Sequence, residues 1–277
     1  MRIQAFICNW PGKKQHAAEL EAMFRQHCEV MVINTDDSLR ARHPHWHHIG
    51  NEGYFTDQWN AALEQFDADV FLQIQADIWP TQLGRMLSEC VRYISNFGVG
   101  VYAPNLNYTA HVFRRESLVR VNDAVYEVPN TDSSFWAMTS EVLRNTPAIN
   151  PKINRLGWGT DYLVSVVARR KGRKVGRDYR FTAGHLKSRG YSSANAWRQF
   201  AGFVESLDPT LRGEINALVK ERDRVVVNKL SGTFAAIRGL DSRAARALLI
   251  FQSHLESAMR PASEARTDSE KATAGPK

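Results

Sequence analysis

The sequence is poor in cysteine and has no long hydrophobic segment. Its three cysteines, Cys8, Cys28 and Cys90, are an odd number in a chain of 277 residues, which excludes a fully paired disulfide framework and favours a reducing compartment. The longest apolar stretches, such as residues 244–251, are far shorter than the roughly 20 residues that cross a bilayer. The first ten residues lack the pattern of a signal peptide. We therefore expect a cytoplasmic protein that touches the inner face of the membrane at most peripherally.

Several functional motifs are also missing. There is no Gly-x-Gly-x-x-Gly or Walker sequence, no Gly-x-Ser-x-Gly, no internal repeat and no recognised nucleic-acid motif. The segment that holds the four histidines from His43 to His48 has no Cys, and the proline within it disfavours a helix on which they could pair. We therefore expect no dinucleotide fold, no P-loop, no nucleic-acid partner and no zinc site, and we assign the histidines to a donor-site loop or to plain surface.

Positive charge is concentrated in one segment. The chain carries a net charge of +7, and residues 169–189 contain nine lysines and arginines but one acidic residue, so this segment alone accounts for the excess. A local basic patch predicts an anionic ligand, whether phosphate, nucleic acid or acidic lipid headgroup. The simple alternative is a solvated helix end.

Strand-like and helix-like segments alternate through the first third of the chain. Strands are predicted over 3–8, 30–33, 70–74 and 99–103, and helices over 16–27, 55–66 and 83–94. Shorter strand-like pieces follow at 110–113, 124–128 and 135–139, then a helix over 162–170 and a strand over 174–181. This order predicts an α/β fold with a largely parallel sheet that a mixed part closes on one side.

Polar residues follow the predicted strands. Asn9, Asp36, Asp37, Gln75 and Asp77 all stand at carboxyl ends of strands. In parallel sheets the ligand sits outside these ends, so we expect the five side chains to gather around one crevice. A carboxylate such as that of Asp77 can bind Mg²⁺ or Mn²⁺.

The sharpest motif is Gly157-Trp158-Gly159-Thr160-Asp161. Two glycines allow a tight turn that presents Trp158 as a platform, and Asp161 falls in the first turn of a helix, where a carboxylate is stabilised. The plain alternative makes Thr160 or Asp161 a helix cap and Trp158 a core aromatic.

In this order the motifs resemble the GT-A fold glycosyltransferases, especially the inverting family 2 group, over roughly residues 3–190. The resemblance rests on five stretches: 32–38 (VINTDDS), 51–53 with 59–62 (NEG, WNAA), 70–77 (VFLQIQAD), 157–161 (GWGTD) and 181–185 (FTAGH). In the third stretch Gln75 stands where the family has the first Asp of its metal motif. The fold implied is a Rossmann-like mixed sheet flanked by helices, with a C-terminal helical extension.

The resemblance also implies roles for individual residues. Asp161 would be the general base, Asp77 and His185 would bind Mn²⁺ or Mg²⁺, and a nucleotide-sugar, of the UDP-linked kind, would be the donor. A glycan or a lipid-linked molecule would be the acceptor, as in polysaccharide biosynthesis. The acceptor would contact Trp158, Gly159 and Thr160. The donor would contact Asn9, Asp36, Asp37, Asn60, Gln75 and Ala76, with Lys187 and Arg189 over its diphosphate.

The domain boundaries predicted are 1–205 for the catalytic domain, 206–260 for the helical extension and 261–277 for a disordered tail. We expect the apolar face of the extension to pack on the catalytic domain or on a second subunit; a basic amphipathic membrane-surface helix is the alternative. Three other functions stay open: a nucleotidyltransferase, a non-catalytic module that binds anionic ligands, and a catalytically dead relative.

Overall fold

The computed structural model describes residues 1–107, 109–185 and 192–227. The chain divides into two compact units, one of residues 1–188 and 199–229, the other of residues 189–198 and 230–277. The predicted helices after residue 227 and the tail at 261–277 lie outside the described residues. The boundary predicted at residue 205 falls within the first unit.

The described residues contain a mixed sheet of ten strands in the order β3-β2-β1-β4-β9-β6-β10-β8-β7, with β5 paired to β10. Four pairs are parallel, β1 with β2 and β4, β2 with β3, and β6 with β10, while β9 lies antiparallel between β4 and β6. The strands are β1 (Ile3–Asn9), β2 (Glu29–Asn34), β3 (His47–His48), β4 (Val70–Gln75), β5 (Ile78–Trp79), β6 (Val99–Leu106), β7 (Val119–Asn122), β8 (Val125–Glu127), β9 (Phe135–Thr139) and β10 (Lys174–His185).

Seven α-helices flank this sheet in the described part of the chain. They are α1 (Lys14–Phe24), α2 (Phe55–Gln65), α3 (Leu83–Asn96), α4 (Ser140–Arg144), α5 (Thr160–Arg170), α6 (Ser193–Ser206) and α7 (Pro209–Val225). The structure confirms the helices predicted over 16–27, 55–66 and 83–94 as α1, α2 and α3. These segments form helices because their apolar residues recur at helical spacing and face the sheet. None of the described helices combines the length and the hydrophobicity that crossing a membrane requires.

Hydrophobic residues on both sides of the central strands explain why the polar residues collect at strand ends. In β1 and β4 nearly every side chain is buried, as expected for strands covered on both faces. The parallel register pairs Asn9 with Asn34 and Cys8 with Gln75. The carboxyl ends of three strands therefore meet at one edge, as predicted.

One predicted strand is wrong. Residues 110–113 form no strand; Phe113 makes a single bridge to Val226. Instead, two arginine side chains donate to backbone carbonyls of this segment, Arg222 to Ala110 at 2.7 Å and Arg177 to His111. These side-chain donors satisfy carbonyl groups that a neighbouring strand would have bound if the strand-like residues 110–113 had formed a strand.

The predicted basic patch is largely neutralised within the described residues. Four arginines of the run form ion pairs with carboxylates from other elements or a neighbouring residue: Arg169 with Glu221 (2.6 Å), Arg170 with Glu214 (2.6 Å), Arg173 with Glu141 (2.9 Å) and Arg180 with Asp178 (2.6 Å). Exposed pairs of this kind stabilise a protein little, but they cancel charge. Three described cations of the run lie outside these pairs: Lys171, Lys174 and Arg177. Of the three, Arg177 is buried and belongs to the site described next.

α7 packs on α5 through a buried apolar face and two of these ion pairs. Its inward residues follow helical spacing: Leu211, Ile215, Leu218 and Val219. The first helix of the predicted extension is therefore part of the same compact unit as the sheet.

Candidate active site

The carboxyl ends of β1 and β2 carry a buried amide network. The Asn9 amide donates to Asn34 Oδ1 at 2.6 Å, and the Asn34 amide lies 2.8 Å from His48 Nδ1. The Asn34 amide also donates to the Asp36 carbonyl at 2.7 Å. Asn9 Oδ1 is buried and has no hydrogen-bond partner in the structure. This oxygen is an acceptor at the strand edge where the donor was predicted to bind.

The two aspartates after β2 organise the loop. The Asp36 carboxylate caps the short turn that follows by accepting from the Ser38 amide and hydroxyl, at 3.1 and 2.5 Å. Asp37 exchanges hydrogen bonds with Asn51, and the Asn51 amide lowers the pKa of the Asp37 carboxyl. Both aspartates follow the carboxyl end of β2, where the donor was predicted to bind. Through Asn51, Asp37 connects the predicted motif at 32–38 with the one at 51–53.

Asp77 and His185 come together although 108 residues separate them in the chain. β5 begins directly after Asp77 and pairs antiparallel with the end of β10, so that His185 lies opposite Ile78. His185 Nε2 is 3.7 Å from Asp77 Oδ2, while Asp77 Oδ1 is buried without a hydrogen-bond partner. The Asn107 side-chain oxygen accepts from the His185 backbone amide at 2.7 Å.

These two residues fit a divalent cation of the kind that binds substrate phosphates. Mg²⁺ and Mn²⁺ accept one carboxylate and one imidazole and complete their shells with water and phosphate oxygens. The orphaned Asp77 Oδ1 supplies the hard oxygen ligand that such an ion needs. No cluster of three or more His, Cys, Asp or Glu side chains suited to a metal occurs in the described ranges, so the protein offers this pair rather than a closed site.

Three other predicted donor residues have different surroundings. Gln75 is half-buried at the end of β4, and its backbone amide donates to the Ser134 carbonyl at 2.8 Å. Ala76 is fully buried beside it. The Asn60 amide donates instead to the Ile149 carbonyl at 2.8 Å, which ties α2 to a distant loop and does not join the strand-edge network. Lys187 and Arg189 lie outside the described residues.

The Gly-Trp-Gly turn requires the left-handed backbone conformation, which glycine adopts without strain, at both of its glycines. Gly157 and Gly159 have φ of +70° and +94°, and a Cβ at Gly159 would lie 2.5 Å from the Phe200 ring. The Thr160 hydroxyl donates to the Gly157 carbonyl at 2.7 Å and is buried. Trp158 is half-buried on the turn. The turn ends as α5 begins, which places Asp161 in the first helical turn, as predicted.

Asp161 lies in a buried polar pocket that the sequence analysis did not identify. The Asn130 amide donates to Asp161 Oδ2 at 2.5 Å, and His111 Nε2 lies 3.5 Å from the same oxygen. Asn130 Nδ2 is also 3.3 Å from His111 Nδ1. An amide that donates to Nδ1 assigns the imidazole proton to Nε2, which faces Asp161.

Burial sets the charge states of these groups. It raises the pKa of the Asp161 carboxyl to about 7, since the hydrogen bond from Asn130 lowers it only in part. Burial likewise lowers the pKa of His111 to about 3, so the imidazole is neutral. Burial opposes ionisation of Asp132, but the hydrogen bonds that this carboxylate accepts from Ser134 and Thr109 favour its charged form, and its pKa lies below the usual value. Asp161 is therefore the carboxyl whose charge changes near neutral pH.

The loop 130–134 connects the two parts of the site. At one end Asn130 contacts Asp161, and at the other the Ser134 carbonyl accepts from the Gln75 amide. Asp132, between them, accepts from the Ser134 amide and hydroxyl at 2.9 and 2.6 Å. The run Asn-Thr-Asp-Ser-Ser before a buried strand was the signal available in the sequence for this loop. His111 stood in a predicted strand and gave no signal.

The histidines between His43 and His48 serve the loop structure. His43 stacks on Trp46 at 4.0 Å between ring centroids, and His45 lies 3.1 Å from Glu21. His48, which contacts Asn34, is the member that borders the strand-edge network.

The fold can be compared with known proteins. No protein-family model and no curated protein match the sequence. Among solved structures, 84% of the chain aligns with 53% of GalNAc-T7 crystallised with UDP, GalNAc and Mn²⁺, at 11% identity and a TM-score of 0.53. S. aureus TarS 1-349 in complex with UDP-GlcNAc aligns over 90% of this chain and 89% of its own, at 14% identity and a TM-score of 0.52. The chain spans about half of the first of these chains and most of the second.

These similarities show that the chain has the GT-A fold. The predicted α/β class with a mixed sheet flanked by helices is therefore confirmed. At such low identity the likeness concerns the fold alone.

Proposed function

We propose that the protein is a glycosyltransferase that moves a sugar from a nucleoside-diphosphate donor to a hydroxyl acceptor with inversion, and that Asp161 is its general base. The observation that carries the proposal is the Asp161 carboxyl, which is buried at the start of α5, is held by Asn130 and has a pKa of about 7. A general base works best when its pKa lies near the working pH. The GT-A fold and the UDP-sugar complexes of the two solved structures support the class of donor.

In the proposed reaction the Asp161 carboxylate takes the proton of the acceptor hydroxyl. The acceptor oxygen forms a bond to the anomeric carbon while the bond from that carbon to the diphosphate oxygen breaks, and the nucleoside diphosphate leaves with the electron pair. The Asn130 amide holds the carboxylate oxygen, and the neutral His111 lies beside it without competing for the proton. Inversion follows from this single displacement.

The donor would lie along the edge formed by Asn9, Asn34 and Gln75, with Asp36 and Asp37 in the loop beside it. Asp77 and His185 would hold Mn²⁺ or Mg²⁺, which would neutralise phosphate oxygens of the donor. The Mn²⁺ in the GalNAc-T7 crystal supports this choice of cation. Trp158 would face the acceptor, and Lys187 and Arg189 would cover the diphosphate.

The structure favours this function over the alternatives. A nucleotidyltransferase needs paired carboxylates for its metal, and Gln75 stands where a carboxylate would be paired with that of Asp77. A non-catalytic module that binds anions through the basic run is disfavoured, because four of its arginines already pair with carboxylates. A dead relative would have no need for a carboxyl that titrates near neutral pH.

Thermal-shift titration with UDP, GDP and CDP, with and without Mn²⁺, tests the donor class. One nucleotide should stabilise the protein in a metal-dependent way. The Asp161→Asn variant should then bind that nucleotide like the parent protein and lose about 10²- to 10⁴-fold in transfer. Asp67→Asn, which changes an exposed carboxylate, is the matched control and should keep full activity. Wild-type turnover in Asp161→Asn would show that Asp161 only caps the helix.

A further inference from the structure

A cavity of about 410 Å³ lies between the end of β6, the segment 112–115 and the middle of β10. Its polar lining consists of arginine, asparagine and tyrosine side chains: Arg115, Arg177, Asn105, Asn107 and Tyr179. Of the described residues that line it, none is acidic. The lining therefore presents two positive charges and several hydrogen-bond donors with no negative charge among them.

Arg177 is the central feature of this cavity. It is 1% exposed, and its guanidinium donates to the His111 carbonyl and to the Thr131 hydroxyl, the latter at 3.2 Å. Both partners are neutral, and no carboxylate in the described ranges lies within salt-bridge distance of it. Burial accordingly lowers the pKa of Arg177, an effect that Tyr179 and Asp132 offset in part. A buried charge with no carboxylate in direct contact is costly, and an anion in the cavity would lower that cost.

Arg115 supplies the second charge. Its guanidinium lies 5.1 Å from the centroid of the Tyr179 ring, and that of Arg177 lies 5.1 Å from the Phe113 ring. Stacking on an aromatic face orients a guanidinium before any ligand arrives. The two arginines thus form a fork for an oxyanion, the chemistry at which arginine is strongest.

The cavity adjoins both parts of the proposed active site. Arg177 donates to the carbonyl of His111, whose imidazole lies beside Asp161. Asn107, on the same lining, accepts from the backbone amide of His185. A group bound in the cavity would therefore be close to the proposed general base, separated from it by His111.

We propose that this cavity binds an anionic group of the acceptor, a phosphate or a carboxylate, between Arg115 and Arg177. The assignment of the ligand to the acceptor rests on the proposed function. The site selects an acceptor that carries a negative charge near the hydroxyl to be glycosylated, and it rejects the uncharged analogue because Arg177 would then stay buried and unpaired.

The test uses calorimetric titration of the full chain with inorganic phosphate and, separately, with acetate, in the presence of saturating UDP and Mg²⁺. UDP occupies the donor edge, so the remaining anion binding reports the cavity. Removal of Arg177 would also delete the bonds that hold two loops, so Arg115→Gln is the informative variant. Arg114→Gln removes the same charge from the neighbouring exposed residue, which does not line the cavity, and is the matched control.

Phosphate or acetate should bind to the UDP-saturated protein, weaken by about tenfold or more in Arg115→Gln, and stay unchanged in Arg114→Gln. The anion that binds identifies phosphate or carboxylate as the group. Failure of both anions to bind, or an equal loss in the two variants, would overturn the proposal.

Two further measurements identify the source of the anion and distinguish the anion site from the proposed donor site. Co-sedimentation with phosphatidic acid vesicles that Arg115→Gln abolishes would trace the anion to a lipid headgroup, and phosphate binding without co-sedimentation would trace it to a soluble acceptor. The UDP titration in the same experiment keeps the two proposals apart. If UDP with Mg²⁺ does not bind, and GDP and CDP do not bind either, the proposed donor function fails, while the anion site is judged on the phosphate and acetate curves alone.

Discussion

Replacing the proposed base should make the protein more stable at alkaline pH. In Asp161→Asn the amide keeps the size of the side chain and an oxygen for the Asn130 hydrogen bond, but it carries no charge to bury. The Asp161 pKa is about 7 in the folded protein against an ordinary value of 3.8. This difference corresponds to roughly 4 kcal/mol at pH values above both.

The sign follows from proton binding. Between pH 3.8 and about 7 the folded protein holds the Asp161 proton while the unfolded chain has released it, so wild-type stability falls as pH rises through this window. Below it both states are protonated and the penalty is absent. The variant should therefore match the wild type near pH 4 and exceed it at pH 8, by on the order of 10 °C in Tm for a chain of this size.

Differential scanning calorimetry between pH 4 and 8.5 measures this difference. Asp132→Asn is the opposite control, because the pKa of Asp132 is lowered and its ionised form stabilises the fold above that pKa. That variant should be less stable than the wild type by a similar amount across this pH range, because the loss shrinks only below the ordinary aspartate pKa of 3.8. A Tm difference between Asp161→Asn and the wild type that does not change with pH would refute the burial of this carboxyl.

Three further outcomes are expected. The pH profile of kcat/KM should fall about tenfold per pH unit below about 7, and Asn130→Ala, which removes the bond that lowers the Asp161 pKa, should move this limb to higher pH. Asp77→Asn should abolish the effect of Mn²⁺ on nucleotide affinity, and an affinity indifferent to both EDTA and this change would show that the diphosphate is bound without metal. Gly159→Ala, at φ of +94° and 2.5 Å from Phe200, should destabilise the protein by about 2–4 kcal/mol in urea titration, whereas Gly213→Ala on the open face of α7 should be neutral or better.

The parts of the fold that the sequence predicted well are those governed by local periodicity. Buried strands such as β1 and β4 have continuous apolar runs, and the polar residues that end them are adjacent in the chain to those runs. Parallel pairing then brings Asn9, Asn34 and Gln75 to one edge by a general rule of such sheets. The meeting of Asp77 with His185 was expected only from the family resemblance.

The surroundings of Asp161 could not be predicted in the same way. Asn130 and His111 approach it from 31 and 50 residues away, and Arg177 is held by carbonyl and hydroxyl groups rather than by a charge that a sequence pattern reveals. The count of charges along residues 169–189 also overestimated the basic patch, because acidic side chains distant in the sequence lie beside the arginines in the folded chain. The acids that pair with four arginines of the basic run come from α4, α7 and β10 itself.

The two-residue strand β5 has a consequence for how this site can vary. Its pairing with the end of β10 is made by backbone groups at Ile78 and Trp79, so it sets the separation of positions 77 and 185 whichever side chains stand there. The distance between these two positions therefore does not depend on which residues would serve there as metal ligands. A lineage can exchange the residues at 75, 77 or 185 one at a time, gaining or losing affinity for a cation, while the scaffold that spaces them stays intact.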